Sequence, residues 1–109
     1  MRRVMISCAV AVVALSVPFL ATAQSLEGSS YSGRRIAVTM CGSCHHVVPT
    51  MPAGSGDAAT FESIANLPST TAISLRAFLH SNHNAMPDFI ISGSDADDVI
   101  AYILSLKRR

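Results

Sequence analysis

Two thiols and an imidazole fall within five residues, Cys41-Gly42-Ser43-Cys44-His45, in a chain that is otherwise aliphatic and lightly charged. On a helical backbone Cys41 and Cys44 stand at i and i+3 and His45 at i+4, so the three side chains leave one face. One flat ligand can engage all three. Two thiols so placed can form thioether links to the vinyl groups of a haem while the imidazole reaches its iron, and Gly42 and Ser43 are small enough for the ring edge to approach. Other chemistries are served less well. A redox-active disulfide at this spacing would sit beside a pattern of strands alternating with helices, and none is visible here. A structural zinc site would need two further ligands at closed spacing.

Thioether attachment requires a compartment, and the N-terminus supplies an address. Met1-Arg2-Arg3 is a short positive start, Val4 to Leu20 is an apolar run of 17 residues, and Ala21-Thr22-Ala23 is a small-x-small cleavage site before Gln24. We therefore expect a signal peptide over residues 1–23, cleaved on export to the periplasm, and a single domain over 24–109. Retention of the run as a membrane anchor is the alternative, since its length is close to that needed to span a bilayer. Arg2-Arg3 lacks the flanking pattern of the twin-arginine route.

Removal of the leader takes Cys8 with it, so that of three cysteines only the pair in the motif remains. It also takes two of the eight basic residues, leaving six against seven acids, a net charge of about −1. No basic patch invites nucleic acid, and no spacing of Ser, His and Asp suggests a hydrolytic triad. The 86 residues from Gln24 to Arg109 are near the size at which a hydrophobic core needs a staple, a part that a buried porphyrin would fill.

The elements that must position the motif are helices. Ser30 or Ser32 can cap a first helix whose Ile36, Ala37 and Met40 form an apolar face leading into the motif, with Arg34 and Arg35 turned outward. Pro49, Pro52, Gly54 and Gly56 then predict an irregular loop. Phe61 to Leu67 reads as a short helical segment ended by Pro68. Ser69 or Thr70 caps a helix with a Leu75, Phe78 and Leu79 stripe. Residues 82–92 read as loop and contain Met86-Pro87, where the proline fixes the backbone just after a potential sulfur ligand. In the last helix Ser94 is the expected cap, Asp95, Asp97 and Asp98 occupy the first turn, and Lys107, Arg108 and Arg109 the end, both termini complementing the dipole. Its Val99, Tyr102, Ile103 and Leu106 recur at helical spacing.

Four features of this pattern resemble the small class I c-type cytochromes of bacterial periplasms, over nearly all of residues 24–109. They are the Cys41-Gly42-Ser43-Cys44-His45 motif; Gly33, eight residues ahead of it, similar to the family's glycine where the first and last helices cross; Ala101-Tyr102-Ile103, resembling its aromatic partner; and His83-Asn84-Ala85-Met86-Pro87, resembling the loop that delivers the distal methionine. The resemblance implies an all-α fold in which N- and C-terminal helices cross and loops wrap round one covalently bound haem c. Two departures stand out. Ala58-Ala59-Thr60 lies where relatives often have a proline whose carbonyl orients the proximal imidazole, leaving Pro49, Pro52 or the Ala59 region to provide that acceptor. Ala37 stands where relatives commonly place an aromatic.

His45 is the expected proximal iron ligand and Met86 the distal one, with His80 and His83 as competitors for the sixth position. The reading is an electron carrier rather than an enzyme. It would shuttle one electron between a periplasmic dehydrogenase or membrane respiratory complex as donor and an oxidase or reductase as acceptor. A monomer without membrane insertion after cleavage is expected. The alternatives are a haem enzyme or gas sensor with a labile sixth ligand, and a fixed subunit of a dehydrogenase or oxidase. Leu67, Leu75, Phe78, Leu79 and Ile103 are the expected apolar pocket, and Gly42, Ser43, Met51, Pro52 and Ala85 the expected docking face. Arg76 is read as a solvated helix charge, with a haem propionate as its other possible partner.

Overall fold

The computed structural model describes residues 28–52, 56–82, 86 and 90–109. The expected signal peptide, His83, Ala85 and Pro87 lie outside the described residues. Four helices follow in order: α1 (Ser30–Met40), α2 (Phe61–Ala65), α3 (Ala72–Leu79) and α4 (Gly93–Ser105), with no strand among the described residues.

Each helix begins at a hydroxyl that accepts from a backbone N–H otherwise left without a partner. Ser29 accepts from Ser32 N, Thr60 from Ser63 N, Thr71 from Ser74 N, and Ser92 from Asp95 N. Three of these caps differ from the sequence expectation by one to three residues, because a run such as Ser69-Thr70-Thr71 or Ser92-Gly93-Ser94 offers several equivalent hydroxyls. Thr71 prevails because Ser74 reaches back to its backbone N–H at 2.9 Å, closing a capping box. Thr70, left inside, is buried and donates to the Ile64 carbonyl at 2.5 Å. The cationic end of the last helix also differs: α4 stops at Ser105, so Lys107, Arg108 and Arg109 lie beyond it. Arg108 turns back to Glu62, with Nη2 to Oε1 at 2.7 Å, and its backbone N–H donates to Asn66 Oδ1 at 2.8 Å.

α4 is the element on which the others pack, α1 most extensively. Its Val99, Ile100, Tyr102 and Ile103 are buried and join Ala37, Val47, Val48, Phe61, Ala65 and Leu75 in one core. Burial of each larger aliphatic or aromatic side chain is worth about 1.5–3 kcal/mol against exposure. The crossing of α1 with α4 is set by Gly33, where a Cβ would strike the Asp98 carbonyl and lie 2.9 Å from Tyr102 Cβ. That contact agrees with the role the resemblance gives to Gly33 and Tyr102. Ala37, one turn on, is fully buried, so the small residue that departs from the relatives' aromatic keeps the helices close.

Candidate functional site

α1 ends at Met40, and Cys41 is its C-cap, donating its N–H to the Ala37 carbonyl at 2.9 Å. The motif is one further turn. His45 N–H donates to the Cys41 carbonyl at 2.9 Å and Cys44 N–H to the same oxygen at 3.2 Å. The helical spacing on which the sequence reading depended therefore persists through His45, even though the regular helix has stopped.

His45 is oriented by the segment that returns from the proline loop. Its Nδ1 donates to the Ala59 carbonyl at 2.6 Å. This places the acceptor at Ala59, one of the three places left open by the sequence, and leaves Nε2 as the basic nitrogen of the ring. Three contacts bring Ala59 there. Gly56 lies against the motif backbone, so that a Cβ would come within 2.8 Å of the Cys44 carbonyl oxygen and 2.9 Å of Cys44 Cα. Phe61 N–H donates to the His46 carbonyl at 3.0 Å, docking the start of α2 on the residue after the motif. The His46 ring bonds through Nε2 to the Met51 carbonyl at 2.6 Å, bracing the turn between them.

Behind the imidazole stands an aromatic wall that the sequence did not disclose. The Phe61 ring lies 5.4 Å from His45 at an interplanar angle of 56°, and Tyr102 lies 6.4 Å beyond Phe61. Tyr102 is tied in turn to the motif's own extension, its hydroxyl donating to the Val47 carbonyl at 2.7 Å. Tilted aromatic contacts of this kind fix ring orientation at modest energy.

The donor set fits a haem better than a bare ion. Cys41 and Cys44 are free thiols, Cys41 half-buried and Cys44 exposed. Burial pushes the Cys41 thiol up to about 11, so it favours a neutral sulfur. Among the described residues, no three His, Cys, Asp or Glu side chains converge on one point as ligands of a single ion would. The sulfurs and the imidazole are spread along a turn, as a large planar group requires.

Of the expected pocket, Leu75 and Ile103 are buried and Leu79 packs on the core, while Leu67 and Phe78 keep about half their surface exposed. Met86 is half-buried. His80 is exposed at the C-cap of α3. Arg76 is ion-paired with Asp97, a partner that sequence spacing gave no means to find.

Among known proteins, cytochrome c-552 of Bradyrhizobium diazoefficiens is 34% identical over 86 residues, covering 79% of this chain and 83% of that protein. The chain belongs to the c-type cytochromes. It is therefore a haem-based electron-transfer protein whose cofactor, haem c, is covalently bound. No family model matches it, and no solved structure does. Among the described residues of this cytochrome, no helix is long and apolar enough to cross a membrane.

Proposed function

We propose that this cytochrome carries one electron at a time on a single haem held by thioethers at Cys41 and Cys44, with His45 and Met86 as its axial ligands. When bound, the haem supplies a ferric/ferrous couple that changes charge without making or breaking substrate bonds. The observation that carries the reading is the Nδ1 to Ala59 carbonyl bond of His45, which commits one ring nitrogen to the protein and leaves the other to the iron. A charge-neutral acceptor raises imidazole basicity less than a carboxylate would. A methionine sulfur on the other side favours the reduced state relative to a second imidazole. Leu75 and Ile103, the buried members of the expected pocket, would disfavour the extra ferric charge, so the sulfur and the apolar pocket would both push the potential upward.

The setting we infer is the periplasm, after cleavage before Gln24, with a dehydrogenase or membrane respiratory complex as donor and an oxidase or reductase as acceptor. Ser43, Met51 and Pro52 are exposed beside the motif and Gly42 is half-buried, a small and uncharged face suited to close approach of a partner. Absorption spectra of the purified protein, with Met86→Ala beside it, test the ligands. The oxidised wild type should show the near-infrared sulfur-to-iron band, and its reduced form should resist carbon monoxide. Met86→Ala should lose the band and bind the gas. A band that survives the substitution would move the ligand to another residue, and ready gas binding by the wild type would make this a protein with a labile sixth position.

A further inference from the structure

Met86 lies in the chain between α3 and α4, and among the described residues an ion pair joins those two helices. Arg76, in the second turn of α3, donates through Nη2 to Asp97 Oδ1 in α4. The two residues are 21 positions apart, and the whole of the 80–92 segment lies between them. Their side chains are 34% and 24% exposed, so solvent and salt screen the pair only partly. The α4 end of this link is itself fixed. Asp98 accepts from Ser29 N–H at 2.6 Å, at the N-cap of α1, and Gly28 lies so close to the Asp97 carbonyl that a Cβ would collide with it. Two adjacent acids thus hold different neighbours, Asp98 the start of α1 and Asp97 the middle of α3.

We propose that Arg76 and Asp97 form a staple that sets the separation between the two ends of the Met86 segment, and that they are positioning residues for the sixth iron ligand. This rests on the reading of Met86 as that ligand. Fixing α3 against α4 fixes the two described points, His80 and Ser92, from which the chain reaches Met86, so fewer placements of that residue are open to it. With the staple open, α3 is held on the core by Leu75 and Leu79 but is freer to move against α4. The population in which the Met86 sulfur has left its position then rises, and a small exogenous ligand reads that population directly.

The test uses the complete haem-loaded protein as wild type, Arg76→Gln, Asp97→Asn, the charge-exchanged Arg76→Asp/Asp97→Arg, and Glu62→Gln. The last removes the Arg108 to Glu62 pair, which joins α2 to the C-terminal residues and not to the Met86 segment. Two quantities are measured: the rate of carbon monoxide binding by the reduced protein, and the temperature at which the sulfur-to-iron band of the oxidised protein disappears relative to loss of helix. Each single variant of the staple should bind the gas about five-fold faster than wild type and lose the band before the helices melt. The exchanged pair should return towards the slow rate, and Glu62→Gln should keep it. Wild-type rates in both Arg76→Gln and Asp97→Asn would overturn the staple, as would an equal acceleration by Glu62→Gln, which would mark a general loosening. A wild type that itself lacks the band would overturn the Met86 reading, and the staple with it.

Discussion

His45 is held by backbone as much as by side chains, and the residue that permits this is Gly56. The return of the loop over Cys44 leaves no room for a methyl group, and the crowding atoms there belong to the main chain, which cannot swing aside as a flexible side chain would. Gly56→Ala should therefore push the 56–59 segment away from the motif and with it the Ala59 carbonyl that orients His45. We expect a loss of about 1–3 kcal/mol in chemical denaturation, the usual cost of inserting a methyl group into a packed contact, together with a changed reduction potential in a redox titration. An unaltered potential alongside the lost stability would mean that the Ala59 bond follows His45 rather than directing it. At this scale the sequence disclosed the donors and, of their supports, only the Ala59 region as one of three candidate acceptors. Cys41, Cys44 and His45 are legible because their chemistry depends on local spacing, which one turn of backbone preserves. The Ala59 carbonyl, the Phe61 wall and the Arg76 to Asp97 pair join residues distant in the chain, and a backbone carbonyl has no letter of its own.

The contact between α1 and α4 depends on a glycine and a tyrosine that act together. Gly33 lets the backbones approach, and Tyr102, 5% exposed, carries that contact on to the motif through its bond to the Val47 carbonyl. Tyr102→Phe should cost about 1–2 kcal/mol at neutral pH, since it removes the bond and leaves a buried acceptor without that donor. The pH dependence has a definite sign. Burial raises the Tyr102 phenol above its ordinary value of 10.0, with Arg34 pulling it part of the way back. The folded chain therefore holds this proton more tightly than the unfolded chain does. That stabilisation is present in full below the unfolded value and is lost as pH rises through the folded one. Denaturation measured from neutral pH to beyond about pH 10 should show wild-type stability falling at the alkaline end, with a shallower fall in Tyr102→Phe; identical slopes would place the alkaline loss elsewhere. The helices themselves were legible in number and type, because the apolar stripe of α4 and the breakers between 49 and 56 are local signals. Their ends were less so. At Ser69-Thr70-Thr71 the cap is chosen by whether Ser74 can reach back, and at Ser105 the helix stops short of its cationic tail because Arg108 is drawn to Glu62 and Asn66.

Among the described residues, α4 organises the helices and those beside the motif bear little charge. Arg34 and Arg35 are exposed on α1, Lys107 to Arg109 follow α4, Arg76 is matched by Asp97 and Arg108 by Glu62. No ring of one sign surrounds the described residues beside the motif, where Ser43, Met51 and Pro52 are exposed; the nearest charges in sequence are Arg35, six residues before Cys41, and Asp57, five after Pro52. Long-range steering needs a one-signed field at the contact face, and it fades over about 10 Å at 0.1 M salt. On the proposed reading, a partner docking beside the motif would be selected by shape and by displacement of water from uncharged groups, and less by charge. We expect the bimolecular rate of electron transfer with a physiological donor or acceptor to change by less than about three-fold between low and moderate ionic strength, in contrast to the steep dependence of electrostatically steered pairs. Stopped-flow measurement over a salt series decides the matter. A fall of ten-fold or more would show that the partner engages a charged region of the surface, and Arg34 and Arg35 on α1 would then be the first residues to neutralise.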